Sequence, residues 1–214
     1  MRVSYVESCV NCILEMASRY LQKPYNLLEL FGGRGRIYTQ FLAQKCTSTI
    51  GWEINKDCEN EFLKNVPNSK FINIDTVKTL SEADEIKLGC DVNIISIDNP
   101  LGIYNGKYCE HFELIDHIHK VIKHKSIVAF NIVKKPYGIE TQQNWVVRRK
   151  QFYDTDLVEL DMSLIPQFYQ KILINQGLNV YEMKLICREL HEGQDYFYML
   201  ICALEPGNGG EESK

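Results

Sequence analysis

The sequence predicts an α/β fold of three layers, with helices on both faces of a mostly parallel seven-stranded sheet. Three observations carry this expectation. Short apolar runs suited to buried strands alternate with amphipathic stretches along most of the chain. A glycine-rich turn, Phe31-Gly32-Gly33-Arg34-Gly35, joins the first such strand to a helix. Two long β-rich runs, Leu178 to Glu189 and Tyr196 to Leu204, close the pattern as an antiparallel hairpin around His191-Glu192-Gly193-Gln194.

The elements follow in order. Val6, Val10, Ile13, Ala17 and Leu21 recur every three or four residues, which makes an amphipathic helix that Pro24 stops. Leu27, Leu28 and Leu30 form the strand before the turn, and the helical pattern resumes from Arg36 with Ile37, Phe41 and Leu42. Thr49 to Trp52 is the second strand, after which Asn55 is placed to cap a helix running to Val66 and ended by Pro67. Phe71 to Ile74 is a third strand, and Thr79 or Ser81 starts a polar helix to Leu88. Asp91 to Ile97 is a β-branched run suited to the middle of a parallel sheet. A helix over Cys109 to Ile122, a strand over Ser126 to Val133, and helices over Gln142 to Phe152 and Met162 to Gln176 complete the alternation. One domain over 1–205 is expected, with the helix of 1–23 packed on it and a disordered polar tail at 206–214.

Composition narrows the function. The 214 residues hold 45% hydrophobic and 24% charged side chains, ordinary values for a globular chain with an ample core. No apolar run approaches the ~18 residues that span a bilayer, and Glu7 stands where a signal peptide needs apolar residues. An intracellular, cytoplasmic protein without membrane contact is expected. Eight cysteines spread over core positions such as Cys46, Cys187 and Cys202 read as reduced thiols. Cys9-x-x-Cys12 lies in a helical pattern without a second pair, so no metal is expected. The net charge is −4, yet residues 120–150 hold eight lysines and arginines against Glu140 alone. A local basic face there would suit a nucleic acid, with Lys134 and Lys135 as contacts.

The glycine turn carries the chemistry. Glycines between a strand and a helix let the backbone turn sharply and approach a ligand closely. Glu53, about 20 residues on, ends the next strand, where a carboxylate can accept hydrogen bonds from a ribose diol. Tyr38 occupies the place of the third glycine of a dinucleotide fingerprint.

Glu29-Leu30-Phe31-Gly32-Gly33-Arg34-Gly35 resembles the E/D-x-F-x-G-x-G turn of class I methyltransferases dependent on S-adenosylmethionine (SAM). The resemblance implies that Glu29, Phe31, Gly32, Gly33 and Gly35 hold the methionine part of SAM and Glu53 its ribose. Ile54 would pack on the adenine, and Asp75 with Thr76 would receive the adenine amino group. Glu29, Glu53, Asp75 and Asp98 thus end four successive strands, the side on which open parallel sheets bind ligands.

Asp98-Asn99-Pro100-Leu101 is similar to the D/N-P-P-Y/F motif of nucleic-acid amino-methyltransferases and to the D-P-F/Y-G turn of tRNA guanine-amino methyltransferases. By that resemblance Asp98, Asn99 and Pro100 orient an exocyclic amine, Asp98 also bordering the cofactor. Tyr104 or Tyr108 would supply the ring that Leu101 does not. The segments 31–35, 53–57 and 73–75 also resemble cytosine carbon-5 methyltransferases. Leu101 stands in place of that family's catalytic cysteine, however, and Asn131 in place of its glutamate. The expected activity is methyl transfer from SAM to an exocyclic nitrogen of a DNA or RNA base. A small-molecule or protein acceptor, or a non-catalytic SAM-binding module, are the other readings. No oligomeric state is implied.

Overall fold

The computed structural model describes residues 5–84, 86–88, 91–98, 110–136, 143–188 and 196–207. Seven strands form one sheet: β1 (Asn26–Glu29), β2 (Ser48–Glu53), β3 (Ser69–Asn73), β4 (Ile94–Ile97), β5 (Ser126–Val133), β6 (Leu178–Arg188) and β7 (Phe197–Pro206). Their order across the sheet is β3-β2-β1-β4-β5-β7-β6. β7 runs antiparallel to both its neighbours, and the pairs from β3 to β5 are all parallel. The last strand in sequence therefore lies inside the sheet, between β5 and β6.

Strand side chains alternate between two cores, as the two-residue period of a strand requires. Leu27, Ile94, Ile127 and Ile201 face a layer built by α1 (Tyr5–Tyr20), α2 (Tyr38–Ala43) and Phe62 of α3 (Glu59–Asn65). Leu28, Ile95, Val128 and Leu200 face the other layer. That layer holds α4 (Thr76–Glu82), α5 (Phe112–Ile115), α6 (Gln143–Tyr153) and α7 (Ile165–Asn175). α1 buries Val6, Cys9, Val10, Ile13, Met16 and Ala17, the stripe its periodicity predicts. The three-layer expectation holds.

Four helices differ from expectation for identifiable reasons. α2 starts at Tyr38 because Ile37 has φ 48°, which no helix tolerates. The helix expected from Asn55 to Val66 is split into a 3₁₀ turn at Lys56–Cys58, which the Asn55 side chain caps, followed by α3. α4 begins at Thr76, before Thr79, because the Asp75 carboxylate accepts from Lys78 N (3.0 Å) and caps it. The helix expected over 109–122 breaks after Ile115 and resumes as a 3₁₀ turn at Ile118–Val121. There Gln176 intrudes: its amide donates to Ile115 O (2.7 Å) and accepts from His119 N (3.4 Å). The expected loop of the hairpin, Cys109 and the tail from 208 onward lie outside the described residues.

Candidate functional site

In an open parallel sheet a ligand crevice opens where neighbouring strands have their crossovers on opposite faces. Here that point is between β1 and β4, which pair through Leu27–Ile94 to Glu29–Ser96. Beyond the carboxyl ends of these strands stand Glu29 and Asp98. The Asp98 backbone N–H donates to Glu29 Oε1 at 3.3 Å, and Thr39 Oγ1 lies 3.5 Å from Glu29 Oε2. Glu29 is fully buried. Burial first, and then the nearby Asp98 charge, push its pKa up to about 8.

The glycine turn sits beside this pair, and its glycines have different jobs. A Cβ on Gly32 would meet the Phe62 ring at 2.9 Å, and one on Gly35 would meet Val66 at 2.7 Å, so both exist to let α3 pack against the turn. Gly33, at φ +49°, has nothing within 4 Å of where its Cβ would be. It is half-buried, with open space on its Cβ side where a ligand can approach the backbone. Phe31 is half-buried against the core beneath.

Glu53 joins the two sides of the crevice. Its Oε2 accepts from Gly33 N (2.9 Å) and its Oε1 from Asn55 N (2.8 Å). A carboxylate has about four acceptor positions, so two remain for ribose hydroxyls. Asn73, which sequence reading missed, donates to Glu53 O (2.9 Å) and Ile54 O (2.8 Å) and fixes the segment that would run past the adenine. Ile54 is 41% exposed, as a side chain awaiting a planar ligand would be. Asp75 is an N-cap with one oxygen engaged. Thr76 Oγ1 donates to Leu30 O (2.6 Å) and ties α4 to the turn, which spends its one proton and keeps its acceptor lone pairs. With a carboxylate ending β2, an open glycine beside it and an exposed apolar side chain, the residues fit SAM.

Asp98 is not a free acceptor. Arg188, the last residue of β6, places Nη1 2.6 Å from Asp98 Oδ1 and Nη2 3.4 Å from Oδ2. Asn131 of β5 donates to the same Oδ1 and accepts from Arg188 Nη1 at 2.7 Å. The guanidinium lies 5.4 Å from the ring centroids of both Tyr5 and Tyr38. Arg188 and Asn131 thus hold Asp98, with Tyr5 and Tyr38 flanking the guanidinium; the sequence singled out Asn131 and Tyr38 for other reasons, and Arg188 and Tyr5 not at all. Asn99, Pro100, Tyr104 and Tyr108 lie outside the described residues.

The basic run does not form an unopposed face. Lys134 Nζ is 3.1 Å and Lys135 Nζ 3.9 Å from Glu159, while Lys125 pairs with Glu205 and Lys150 with Asp156. Arg148 meets Glu113, and Arg149 is buried against Glu110. Lys120 caps α4 through Leu80 O and Ala83 O, both at 2.8 Å. Folding interleaves this window with acids from elsewhere in the chain. His111 is likewise structural: it is buried, bonded to Tyr169 Oη (2.6 Å) and held neutral, with its pKa lowered to about 3 by desolvation and Arg149. Among the described residues no group of three or more His, Cys, Asp or Glu is arranged to hold a metal. No helix among them is long and apolar enough to cross a membrane.

No protein-family model matches the chain, and no curated protein matches its sequence. Solved structures do match it. Trm5b from Pyrococcus abyssi is 14% identical with a TM-score of 0.53, over 96% of this chain and 50% of Trm5b. The N-methyltransferase NodS from Bradyrhizobium japonicum WM9 is 12% identical with a TM-score of 0.57, over 94% of this chain and 97% of NodS. The plantazolicin methyltransferase BamL, solved with a desmethylPZN analogue and SAH, is 12% identical with a TM-score of 0.58, over 94% of this chain and 84% of BamL. The chain has a class I methyltransferase fold. It spans half the length of Trm5b. In this methyltransferase fold Glu29, Glu53 and Asp98 stand at the carboxyl ends of β1, β2 and β4, with Glu53 bonded to the glycine turn and Glu29 to Asp98.

Proposed function

We propose that the chain is a SAM-dependent methyltransferase acting on an exocyclic nitrogen of a nucleic-acid base. One observation supports the reading: where the sheet changes winding, Glu53 accepts from the N–H of an open Gly33 and Glu29 accepts from Asp98 N–H, so the three strand-end acids flank the glycine turn. The glycine turn and Glu29 receive the methionine part, Glu53 the ribose, Ile54 the adenine face and Asp75 its amino group. Bound SAM supplies a methyl on a positive sulfur, which the acceptor nitrogen displaces in line, leaving S-adenosylhomocysteine (SAH) and one proton to be lost. Asp98 and the Asn99-Pro100 backbone orient the amine and take its hydrogen bonds; positioning supplies most of the acceleration. A base inside a duplex would have to leave the stack first.

A second reading, in which the acceptor is a small molecule or a protein side chain, is favoured by the pairing of Lys134, Lys135, Arg148 and Arg149 with acids. Labelled SAM offered with DNA, RNA, protein and metabolite pools at two salt concentrations decides. Incorporation into nucleic acid that falls steeply with salt supports the base. Incorporation only into metabolites or protein overturns it. SAM binding without turnover on any pool would leave a binding module.

A further inference from the structure

We infer that Arg188 is a positioning residue of this transfer site: it cancels the charge of Asp98 and anchors that carboxylate by Oδ1, leaving Oδ2 to meet the acceptor. The inference rests on the functional reading above and names a residue that neither the motif nor the glycine turn contains.

Two buried arginine–carboxylate pairs occur among the described residues, and their differences are instructive. Arg149 against Glu110 is a structural pair. Its Nη2 donates to the main-chain carbonyls of Val133 (2.8 Å) and Lys134 (3.1 Å), and Trp145 Nε1 donates to Glu110 Oε1 (2.9 Å), the oxygen that Arg149 also binds. Those bonds hold α6 to the end of β5. Arg188 makes no such main-chain bond among those found. Its hydrogen bonds go to Asp98 and Asn131, side chains at the strand-end face. Nε of both arginines is buried without a partner among the described residues, so the difference lies in their Nη bonds. A guanidinium whose hydrogen bonds are spent on two strand-end side chains is organising the crevice.

The geometry also says what it organises. Oδ1 of Asp98 receives both Asn131 Nδ2 and Arg188 Nη1, whereas Oδ2 has only the 3.4 Å contact from Nη2. One oxygen is fixed and the other keeps its lone pairs. From below, the Glu29 carboxylate accepts the Asp98 main-chain N–H, so two acids stand side by side. With the Glu29 carboxyl held neutral by burial, Asp98 is the charge that the guanidinium between the Tyr5 and Tyr38 rings balances. Because the arginine neutralises Asp98 locally, the cluster offers a cationic sulfur less attraction than two acids would.

SAM carries one positive charge more than SAH, so the ratio of their dissociation constants reads the net charge of this cluster without any acceptor. Calorimetric titrations of both ligands into wild type, Arg188→Gln, Asp98→Asn and the double variant test the inference. Arg188→Gln should move the ratio about fivefold toward SAM, Asp98→Asn about as far toward SAH, and the double variant should return near wild type. If Arg188→Gln does not fold, Arg188→Lys, which keeps the charge but loses the two-nitrogen grip on Asp98, replaces it and should leave the ratio within twofold of wild type, a larger shift overturning the inference. Shifts below twofold, or both in one direction, overturn the inference while leaving SAM binding intact. A folded wild type that binds neither ligand brings down the functional reading and this inference with it.

Discussion

Gly33 and Glu53, twenty residues apart in sequence, meet in one hydrogen bond: the glycine N–H reaches Glu53 Oε2 at 2.9 Å. The bond ties the end of β2 to the turn after β1, the two walls of the proposed cofactor crevice. Glu53→Ala should therefore weaken SAM binding by about 1.5–3 kcal/mol, the size of a hydrogen bond to a charged group. Calorimetry on the folded variant is the measurement, and an unchanged dissociation constant would remove Glu53 from the cofactor site.

Glycines 33 and 51 should separate ligand effects from packing effects. A Cβ on Gly51 would lie 2.3 Å from the Phe62 ring, so Gly51→Ala should lower stability by about 1–3 kcal/mol. Gly33→Ala meets no atom within 4 Å and bears only its φ of +49°, a cost of about 1 kcal/mol. Its larger effect should be on SAM affinity, because the added methyl stands where the ligand approaches. Urea melts and SAM titrations on both variants compare the two. A Gly33→Ala protein that binds SAM normally counts against the crevice.

Asp98→Ala should do two things at once. It strips Arg188 of its counter-charge in a largely buried place, which costs about 3 kcal/mol of stability. It also misplaces the acceptor, and ~1 Å of misplacement can cost about 100-fold in rate. Single-turnover rates corrected for the folded fraction separate these. A corrected rate near wild type would confine Asp98 to structure.

The pH dependence of stability follows from two buried groups of opposite sign. Glu29 has its pKa raised from 4.5 to about 8, so between those values only the unfolded chain is ionised and stability falls as pH rises. His111 is lowered from 6.5 to about 3, so between those values only the unfolded chain holds the proton and stability climbs with pH. The two oppose each other from 4.5 to 6.5. Above 6.5 His111 no longer opposes Glu29, and stability should decline toward pH 8, Glu29 contributing up to about 1.4 kcal/mol per pH unit and the buried Glu110 acting in the same direction. Urea unfolding at intervals over pH 6.5–8 measures the slope, and Glu29→Gln should flatten it.

Arg149→Ala should cost about 3–5 kcal/mol, because it leaves Glu110 charged and buried. Lys135→Ala, whose pair is nearly half exposed on both sides, should change stability by about 0.5 kcal/mol or less. Equal effects on thermal unfolding would contradict the division of the basic run into one buried anchor and several surface pairs.

Most of the architecture was legible because it follows from local patterns. The stripe of α1, the β-branched run of β4 and the Asn55 cap each announce themselves within a few residues. The helix over 109–122 was misread because its break comes from Gln176, 61 residues beyond the Ile115 carbonyl it binds. Glu29, Glu53 and Asp98 were visible as strand-end acids. Arg188 was not, since its bond to Asp98 spans 90 residues and β6 gives no periodic reason for an inward charge at its last position. The basic window misled for the same reason: counting along the chain omits Glu159, Glu205 and Asp156, which folding brings alongside.

The placement of β7 bears on how the chain folds as it is made. β5 hydrogen-bonds β4 on one side and β7 on the other, while β6 touches the sheet only through β7. A ribosome that has released residues up to Arg188 has therefore delivered an eight-residue strand, β5, with one naked edge, and an eleven-residue strand, β6, with nothing to join. At about 5–20 residues per second, the ten residues of β7 take on the order of a second to emerge. Throughout that interval the C-terminal half of the sheet is two unpaired edges waiting for one insertion, the state in which a nascent chain is most open to capture by a chaperone or by another copy of itself.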